Sequence, residues 1–299
     1  MRITNRMAHE MVLGDLQRSL ESLMRSQEKL STARRVNRPS DDPTAAHRAI
    51  SSRAQLMVLD QFSRNIGEVK AWVNTTEYAL RAVSDSLIEV RTLVIQAANG
   101  TLSPSDRENI AQRVEEFKEH IFQLTHERYS GRYVFSGTRT GEPPFVRSGD
   151  DVIYQGNSAH IRVNVGEGSP VAFNLTGEEV FMGIGQQGRS LFKLLSDLSA
   201  AIRGGDLRQV GGELLAEVDE ALDRVAEKLG VVGAVSQRLE RMEEVISGLV
   251  VKHRELLSLA EDADLAEAVM EFQFRQTAYQ ASLAASARAI MPTILDYLK

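Results

Sequence analysis

The stretch RRVNRPSDDPTAAHRA, residues 34–49, interrupts a sequence that reads as long helix on both sides. Pro39 disfavours helical backbone at the residue before it, so the preceding helix must end by that point. Either Ser40 or Asp42 can cap the helix that follows by accepting hydrogen bonds from its free N–H groups, and Pro43 suits a first helical position. The stretch therefore predicts a helix stop followed by a capped restart.

Apolar residues on both sides of this break recur at alternating steps of three and four residues, the period of a bundle or coiled-coil helix. After the break the pattern runs from Leu59 to Ala97 without a slip. The leucines of the first segment are Leu13, Leu16, Leu20, Leu23 and Leu30. Since both segments present one apolar seam, each is predicted to pack lengthwise against another helix.

The same period returns in the last third of the chain, from Val232 to Ala263 and, after a slip, from Leu265 onward. The bulky apolar residues of the last segment are Phe272, Tyr279, Leu283, Ile290, Leu295 and Leu298. Helical seams at both ends of one chain predict a long antiparallel helical bundle formed by the two ends. A third helix is predicted to begin at Pro104, with Ser103 as its cap.

The middle of the chain differs, because ten of its 21 glycines lie between 130 and 187 and the heptads stop there. HIRVNV and PVAFNL alternate apolar and polar residues around a short Gly-rich link, which predicts a β-hairpin, and DVIYQG predicts another strand. The fold class is therefore mainly α, with a long antiparallel coiled-coil or bundle stem and a small β-rich outer domain inserted in the middle. The predicted divisions are 1–38 for an N-terminal inner coiled-coil helix, 39–130 and 188–260 for stem helices, 131–187 for the β-rich domain and 261–299 for a C-terminal inner coiled-coil helix.

Composition excludes several classes of protein. The chain has no cysteine, which excludes disulfides and thiolate metal sites, and no apolar run of about 18 residues that could span a membrane. Its N-terminus lacks the apolar core of a cleaved secretory signal. Residues 1–48 hold nine Lys and Arg against six Asp and Glu, whereas 205–275 hold eight against sixteen. With a net charge of −6, the basic N-terminal segment is interpreted as complementing the chain's own acidic half, not as binding nucleic acid.

No catalytic or cofactor-binding pattern emerges. GIGQQG, residues 183–188, matches a dinucleotide-binding motif, but the parallel strands that such a site needs are not predicted around it, so it is interpreted as a flexible loop. EDAD, residues 261–264, has spaced carboxylates but lacks the glycine and glutamate that complete a calcium loop. The six histidines are scattered. We therefore expect neither an enzyme nor a cofactor or metal site.

The break and the chain's far end together resemble the bacterial flagellin family. KLSTARRVNRPSDDPTAAHRA, residues 29–49, resembles the N-terminal signature of that family, and GAVSQRLE (233–240) and AEDADLAEAVMEFQF (260–274) resemble its C-terminal segments. The residues that fall on the N-x-x-x-D-D-P motif are Asn37, Asp41, Asp42 and Pro43. Two signatures in the right order, on predicted helices, make the resemblance specific.

The resemblance implies a subunit of the bacterial flagellum whose chain ends form an inner coiled tube. The motif residues would then form a spoke turn between the inner helix and the stem, and the seam residues Leu13–Leu30 and Phe272–Leu298 would mediate subunit assembly. It also implies export through the flagellar type III apparatus without a cleaved signal, into the extracellular flagellum. A dedicated export chaperone is expected to bind the seam at Phe272, Tyr279, Leu283 and Ile290.

YSGRYVFSGTRTGEPPFV, residues 129–146, resembles the branch of the family that joins the hook to the filament. This implies a structural adaptor with no enzyme activity and no cofactor, which forms a ring with copies of itself between the first hook-associated protein and flagellin. The alternative is a minor flagellin that polymerises into the filament itself. Neither nucleic acid nor a membrane is expected as a partner.

Overall fold

A computed structural model describes residues 5–99, 102–149, 151–185 and 188–290 of the chain. The helices are α1 (Asn5–Thr32), α2 (Pro43–Ala98), α3 (Pro104–Leu124), α4 (Gly177–Phe181), α5 (Leu191–Gly204), α6 (Leu207–Gln209, extended by a π-helical turn over Val210–Leu214), α7 (Leu215–Glu261) and α8 (Leu265–Ile290). The strands are β1 (Arg128–Tyr129), β2 (Arg132–Tyr133), β3 (Phe145–Ser148), β4 (Asp151–Tyr154), β5 (Arg162–Asn164) and β6 (Pro170–Ala172). The predicted fold class, mainly helical with a small β-containing middle, is confirmed.

The chain forms two compact units. The terminal unit contains the residues up to Val58 and those from Gly248, and the central unit is Leu59–Ser247. These divisions lie within α2 and α7, whereas the sequence places its divisions at the ends of helices. The five-part organisation therefore stays a prediction.

Local capping chemistry explains where the third helix begins. Ser103 caps α3 by accepting a hydrogen bond from the Asp106 N–H at 3.2 Å, and the Asp106 carboxylate accepts one from the Ser103 N–H at 3.3 Å. This reciprocal pair is a capping box, and Pro104 occupies the first helical position as predicted.

The central unit has a large apolar core. Within it α2 faces α7, and the two helices are joined at the surface by ion pairs of Arg91 with Asp219 at 2.6 Å and Lys70 with Glu243 at 3.0 Å. The largest side chains with almost no exposed surface are Phe135, Phe145, Phe181, Phe192, Ile66, Leu80, Leu87, Ile121, Ile184, Leu191, Leu194 and Leu195. The four phenylalanines contact one another edge to face or stacked, with ring centroids 5.4–6.2 Å apart. This cluster anchors the β region onto the helices of the same unit.

The β region consists of three antiparallel pairs, β1–β2, β3–β4 and β5–β6. The β5–β6 hairpin is the predicted one, with Val163 opposite Val171. The predicted strand in DVIYQG is β4, and its partner is β3, which the sequence reading missed. β3 begins just after Pro144, and its sequence FVRS has two apolar residues followed by two polar ones, so it lacks the period-two alternation that predicts a strand.

The glycine loop between α4 and α5 serves local packing. Ile184 and Arg189 pair as an antiparallel bridge, and Gly185 has a positive φ of 70°. A Cβ on Gly185 would lie 2.3 Å from the Glu217 Oε1, so the loop approaches α7 more closely than any side chain would permit. The sheets in the described residues are all antiparallel, which removes the parallel-sheet context that a dinucleotide site requires.

Candidate functional site

The turn predicted to be a spoke, around residues 37–43, follows the end of α1. Thr32 closes the helix by donating its hydroxyl to the Glu28 carbonyl at 2.8 Å and accepting from the Arg34 N–H at 3.3 Å. Ala33 then adopts a left-handed φ of 55°, which costs a side-chain-bearing residue about 1 kcal/mol. A conformation of this kind persists only where its surroundings hold it in place.

Two chain segments that lie far apart in sequence hold this conformation. The Ala263 N–H donates to the Ala33 carbonyl at 3.0 Å, and the Arg35 N–H donates to the Glu261 carbonyl at 2.7 Å. Arg34 and Asp262 therefore pair as a short antiparallel bridge. The α1–α2 connection and the α7–α8 connection form one joint, a contact that no motif in the sequence indicated.

The turn itself is closed by Asp41. Its Oδ2 accepts hydrogen bonds from the Arg38 N–H at 2.9 Å and the Asn37 N–H at 3.2 Å, and its own N–H donates to the Arg38 carbonyl at 3.0 Å. The Asn37 amide donates to the Arg34 carbonyl at 3.3 Å. Both residues of the motif are therefore used to fold the loop back on itself.

Asp42, not Ser40, caps α2. Its Oδ1 accepts from the N–H groups of Ala45 at 3.0 Å and Thr44 at 3.1 Å, and Pro43 is the first residue of the helix. The Ala45 N–H holds the pKa of the Asp42 carboxyl below its usual range, and Arg35, whose Nη1 lies 3.4 Å from Asp42 Oδ2, lowers it further. The cap is therefore ionised when it binds the helix start.

Glu261, the last residue of α7, is a buried carboxylate at the centre of the joint. Arg53 of α2 makes a very short contact with its Oε2, and the Arg34 Nε lies 3.4 Å from its Oε1. Beside it, the Arg35 guanidinium donates to the Ala260 carbonyl at 3.1 Å. A carboxylate buried in this way is stable only with its cations in place. The sequence did not predict this role. It showed the EDAD carboxylates and the basic run at 34–38 as separate features and gave no sign that they meet.

The connection between α7 and α8 also ends in an aspartate that caps the helix after it. The carboxylate of Asp264 caps α8 by accepting from the Ala266 N–H at 2.8 Å and the Glu267 N–H at 3.3 Å. Asp262 accepts from the Ser258 hydroxyl at 2.5 Å. The EDAD carboxylates are therefore occupied by helix ends and arginines. No group of three or more potential metal ligands converges anywhere in the described parts of the chain.

The terminal helices α1 and α8 pack against each other, with Lys29 Nζ 3.3 Å from Glu271 Oε2. Of the predicted assembly residues, Leu16, Leu23 and Leu30 on α1 and Phe272 and Tyr279 on α8 are half-buried, whereas Leu13, Leu20 and Leu283 are exposed. Ile290 is the last residue of α8, and Leu295 and Leu298 lie outside the described residues. The pair of helices therefore leaves much of both seams in solvent.

Other large apolar side chains of the terminal unit are also exposed. Phe274 is 69% exposed and Leu259 is 74% exposed. The remaining members of this set include Met7, Met11, Met24, Ile50, Met57, Val251, Leu265 and Met270. Apolar surface on this scale is typical of an interaction site. Among the helices of the described residues, none has the length and apolar character needed to cross a membrane.

Family models match both ends of the chain. The bacterial flagellin N-terminal helical region matches residues 3–140, and the bacterial flagellin C-terminal helical region matches residues 215–298. The two matches contain both halves of the joint and all of α1, α2, α7 and α8.

Two curated relatives are similar along almost the whole chain. Flagellar hook-associated protein 3 of Escherichia coli is 24% identical, over 94% of this chain and 95% of the relative. The flagellin of Bacillus subtilis is 28% identical, over 97% of this chain and 96% of the relative. Sequence similarity therefore extends to both a hook-associated protein and a filament protein.

Solved structures share the fold. A structure assigned to a flagellar hook-associated protein of Vibrio parahaemolyticus matches with a TM-score of 0.69 and 24% identity, covering 74% of this chain and 99% of its own. Flagellar hook-associated protein 3 of Legionella pneumophila matches with a TM-score of 0.65 and 16% identity, covering 69% of this chain and 97% of its own.

Proposed function

The chain belongs to the bacterial flagellin family, and on that premise we propose that it is the adaptor subunit that joins the hook to the flagellin filament. As a member of this family it is a structural, non-enzymatic component of the extracellular flagellum. The proposed adaptor forms a ring with copies of itself, with the first hook-associated protein on one side and flagellin on the other.

One observation carries the proposal of self-assembly. The terminal unit exposes bulky apolar side chains on α1, α2, α7 and α8 while burying few of them. Burying exposed apolar surface lowers the free energy by about 25 cal/mol for each Å² removed from water, so such a surface favours association with other chains. The exposed leucines at 13 and 20 belong to the seam whose period is that of coiled coils.

The segment from Tyr129 to Val146 supports a junction protein over a flagellin. It forms the β1–β2 turn, and Val134, Phe135 and Ser136 within it have no exposed surface. Gly137, with a φ of 67°, approaches Asn157 so closely that a Cβ would lie 2.1 Å from the Asn157 carbonyl oxygen. Several residues of the segment that resembles junction proteins are therefore buried or closely packed in this structure.

A minor flagellin is the second candidate, because the similarity to Bacillus subtilis flagellin extends over 97% of the chain. The two functions differ in propagation. A flagellin adds to its own kind without limit, whereas a junction protein forms a zone of fixed extent.

Deletion of the gene in its own host separates the candidates. A junction protein predicts that filaments are lost and that flagellin accumulates in the medium, with restoration by the wild-type gene. Filaments that persist, merely altered in length or shape, would favour the minor flagellin. Purified chain added to sheared filament ends and imaged by electron microscopy provides the independent check, because only a flagellin elongates them.

We extend the proposal to export. The chain would leave the cell through the flagellar type III apparatus without a cleaved signal, with a dedicated chaperone on the α8 seam. Phe272 and Tyr279 are half-buried and Leu283 is exposed on one side of that helix, and Ile290 follows at the same spacing. Replacing Phe272 and Leu283 with Ser should abolish chaperone capture in a cytoplasmic pull-down, and Gln273→Ser is the matched exposed control. Equal capture of all variants would contradict this site.

A further inference from the structure

A pocket of about 370 Å³ lies in the terminal unit, between the first turns of α2 and the last turns of α7. Its α2 wall is polar and includes His47, Arg48 and Ser52. Its α7 wall is mainly apolar and includes His253, Leu256 and Leu259. The pocket therefore has one side that can bind a polar group and one side that can pack against a hydrocarbon.

The positive charge in this pocket has no counterpart within the chain. None of the described residues that line the pocket is acidic. Arg48 is exposed and forms no ion pair within the described residues. Of the carboxylates nearby, Glu255 lies two residues from His253 and so does not share its side of α7, and that of Glu261 is already engaged by arginines of the joint. The guanidinium of Arg48 is therefore free to bind an added anion.

A buried hydroxyl is the second, independent indication of a ligand. Ser52 is only 7% exposed, and its hydroxyl keeps accessible surface at the pocket but forms no hydrogen bond within the described residues. Two other buried hydroxyls of α2, those of Thr76 and Ser86, donate to the carbonyl four residues earlier at 3.1 and 2.8 Å. Buried polar groups are almost always paired. Because Ser52 does not use this local acceptor, its hydroxyl can donate to a group that enters the pocket.

Two imidazole rings add further donors. His47 is exposed, whereas His253 is half-buried and its Nδ1 is enclosed without a partner, so this ring meets the pocket through its other edge. Each imidazole has at least one N–H group, and a guanidinium has five N–H donors and no acceptor. A negatively charged acceptor forms the strongest hydrogen bonds with such a set.

The apolar wall determines what kind of anion fits. Leu256 is 44% exposed and Leu259 is 74% exposed, so both side chains have apolar surface left to bury. Covering that surface is favourable, but a bare ion would leave it in water. An anionic group attached to a hydrocarbon covers both walls at once.

We propose that this pocket binds a carboxylate carried on a short apolar stem, with the carboxylate at Arg48 and Ser52 and the stem against Leu256 and Leu259. Such a group is supplied either by an acidic side chain of an adjoining copy of the chain or by a free aliphatic acid. The site goes beyond the proposed function and does not depend on it.

Hydrogen exchange of the full chain, with hexanoate as the probe, tests the site. A ligand that binds only the folded pocket slows its opening, and amides of α2 and α7 around the pocket should exchange about fivefold more slowly with hexanoate at about four times its Kd. Amides of the central core should not change. Hexanamide has the same stem without the charge, and inorganic phosphate has charge without the stem, so each should protect these amides much less.

Substitutions in the pocket provide the second arm. Arg48→Gln and Ser52→Ala should each weaken the affinity for hexanoate, the first by about tenfold, because each removes a donor to the carboxylate. Arg254→Gln is the matched control, since Arg254 is an exposed cation of the same unit that does not line the pocket. Exchange without ligand shows that each variant folds as the wild type does. Absence of protection by hexanoate, equal protection by hexanamide or by phosphate, or protection that persists in Arg48→Gln would each overturn the proposal.

Sedimentation velocity of the purified chain distinguishes the two sources of the carboxylate. If an adjoining copy supplies it, hexanoate and Arg48→Gln should both weaken self-association of the chain. If a free acid supplies it, neither should change self-association while hexanoate still protects the pocket. Deletion of the gene tests the proposed function separately, so failure of either proposal leaves the other standing.

Discussion

The terminal and central units bury different kinds of residue. Every one of the largest fully buried side chains in the described structure belongs to the central unit. In the terminal unit the buried apolar residues are Val36, Ala45, Ala46, Ala49, Ala260 and Ala268. At about 0.8 kcal/mol for each buried CH₂ group, methyl side chains contribute little against the entropy of ordering their backbone. We therefore expect the central unit to be stable by itself and the terminal unit to gain most of its stability on assembly.

The largest predicted effect on the isolated chain is Phe135→Ala in the central unit. Phe135 has no exposed surface and its ring lies 5.4 Å from that of Phe181, so truncation should cost about 3–5 kcal/mol and lower Tm by about 10 °C. Trp72 is the only tryptophan and is buried in the same unit, which makes its fluorescence the appropriate probe. The matched variant Phe274→Ala, at a residue 69% exposed in the terminal unit, should leave Tm nearly unchanged. An equal decrease in Tm for both variants would contradict the proposed difference in stability between the two units.

Glu261→Gln should weaken the terminal unit alone. It removes the carboxylate that Arg34 and Arg53 share, and because both guanidinium groups are nearly half exposed, water compensates in part and the cost should be about 1–2 kcal/mol. Hydrogen exchange should show faster exchange in α1 and α8, with the amides of the central core unchanged. The surface pair of Lys70 and Glu243 provides the control through Glu243→Gln. Unchanged hydrogen exchange in both units, or equally faster exchange in both, would show that the joint does not act as described.

Glu217→Gln should change how the stability of the central unit depends on pH. Burial raises the pKa of Glu217 above its ordinary value, Glu213 and Glu220 add to the increase, and Arg189 opposes it. The protonated form is therefore favoured in the folded state, so its stabilising contribution is present at low pH and is lost as pH rises through the folded pKa. Urea unfolding should be followed by Trp72 fluorescence from about pH 4 to about pH 7. The unfolding free energy of the variant should rise relative to that of the wild type as pH rises.

The control for the substitution itself is Glu227→Gln, because the Glu227 side chain is 69% exposed on the same helix, ten residues along from Glu217. We expect this substitution to change the unfolding free energy by less than about 0.5 kcal/mol. A difference between Glu217→Gln and wild type that does not vary with pH would show that Glu217 titrates like an ordinary surface carboxylate.

The smallest effect on the isolated chain is predicted for Leu13→Asp combined with Leu20→Asp. Both leucines are exposed, so the unfolding free energy should change by less than about 0.5 kcal/mol for each substitution. Assembly should nevertheless be lost, because the charges would be buried between subunits. Motility and filament retention measure that loss, and Gln17→Asp on the same helix is the exposed control. Wild-type motility of the double variant would remove this seam from the interface.

Much of the fold followed from local patterns. The heptads and Pro43 placed α2 to within a residue, Ser103 and Pro104 placed the start of α3, and the alternation around the glycine-rich link predicted the β5–β6 hairpin. The pairing of β3 with β4 was missed, because the sequence FVRS of β3 does not alternate apolar and polar residues. In the site, the motif at 37–43 was recognised, but its connection to Glu261 was not, since isolated charges in a sequence do not reveal their partners.

Helix boundaries, caps and apolar seams were determined by the sequence alone, because each depends on residues within a turn or two of one another. Only the tertiary structure decided that residues 33–35 pair with 261–263, that Arg53 reaches Glu261 from 208 positions away, and that Gly185 lies against Glu217. These contacts require distant segments to meet at a given distance and angle. That meeting is set by how whole helices pack, and hydrophobic period alone leaves it open.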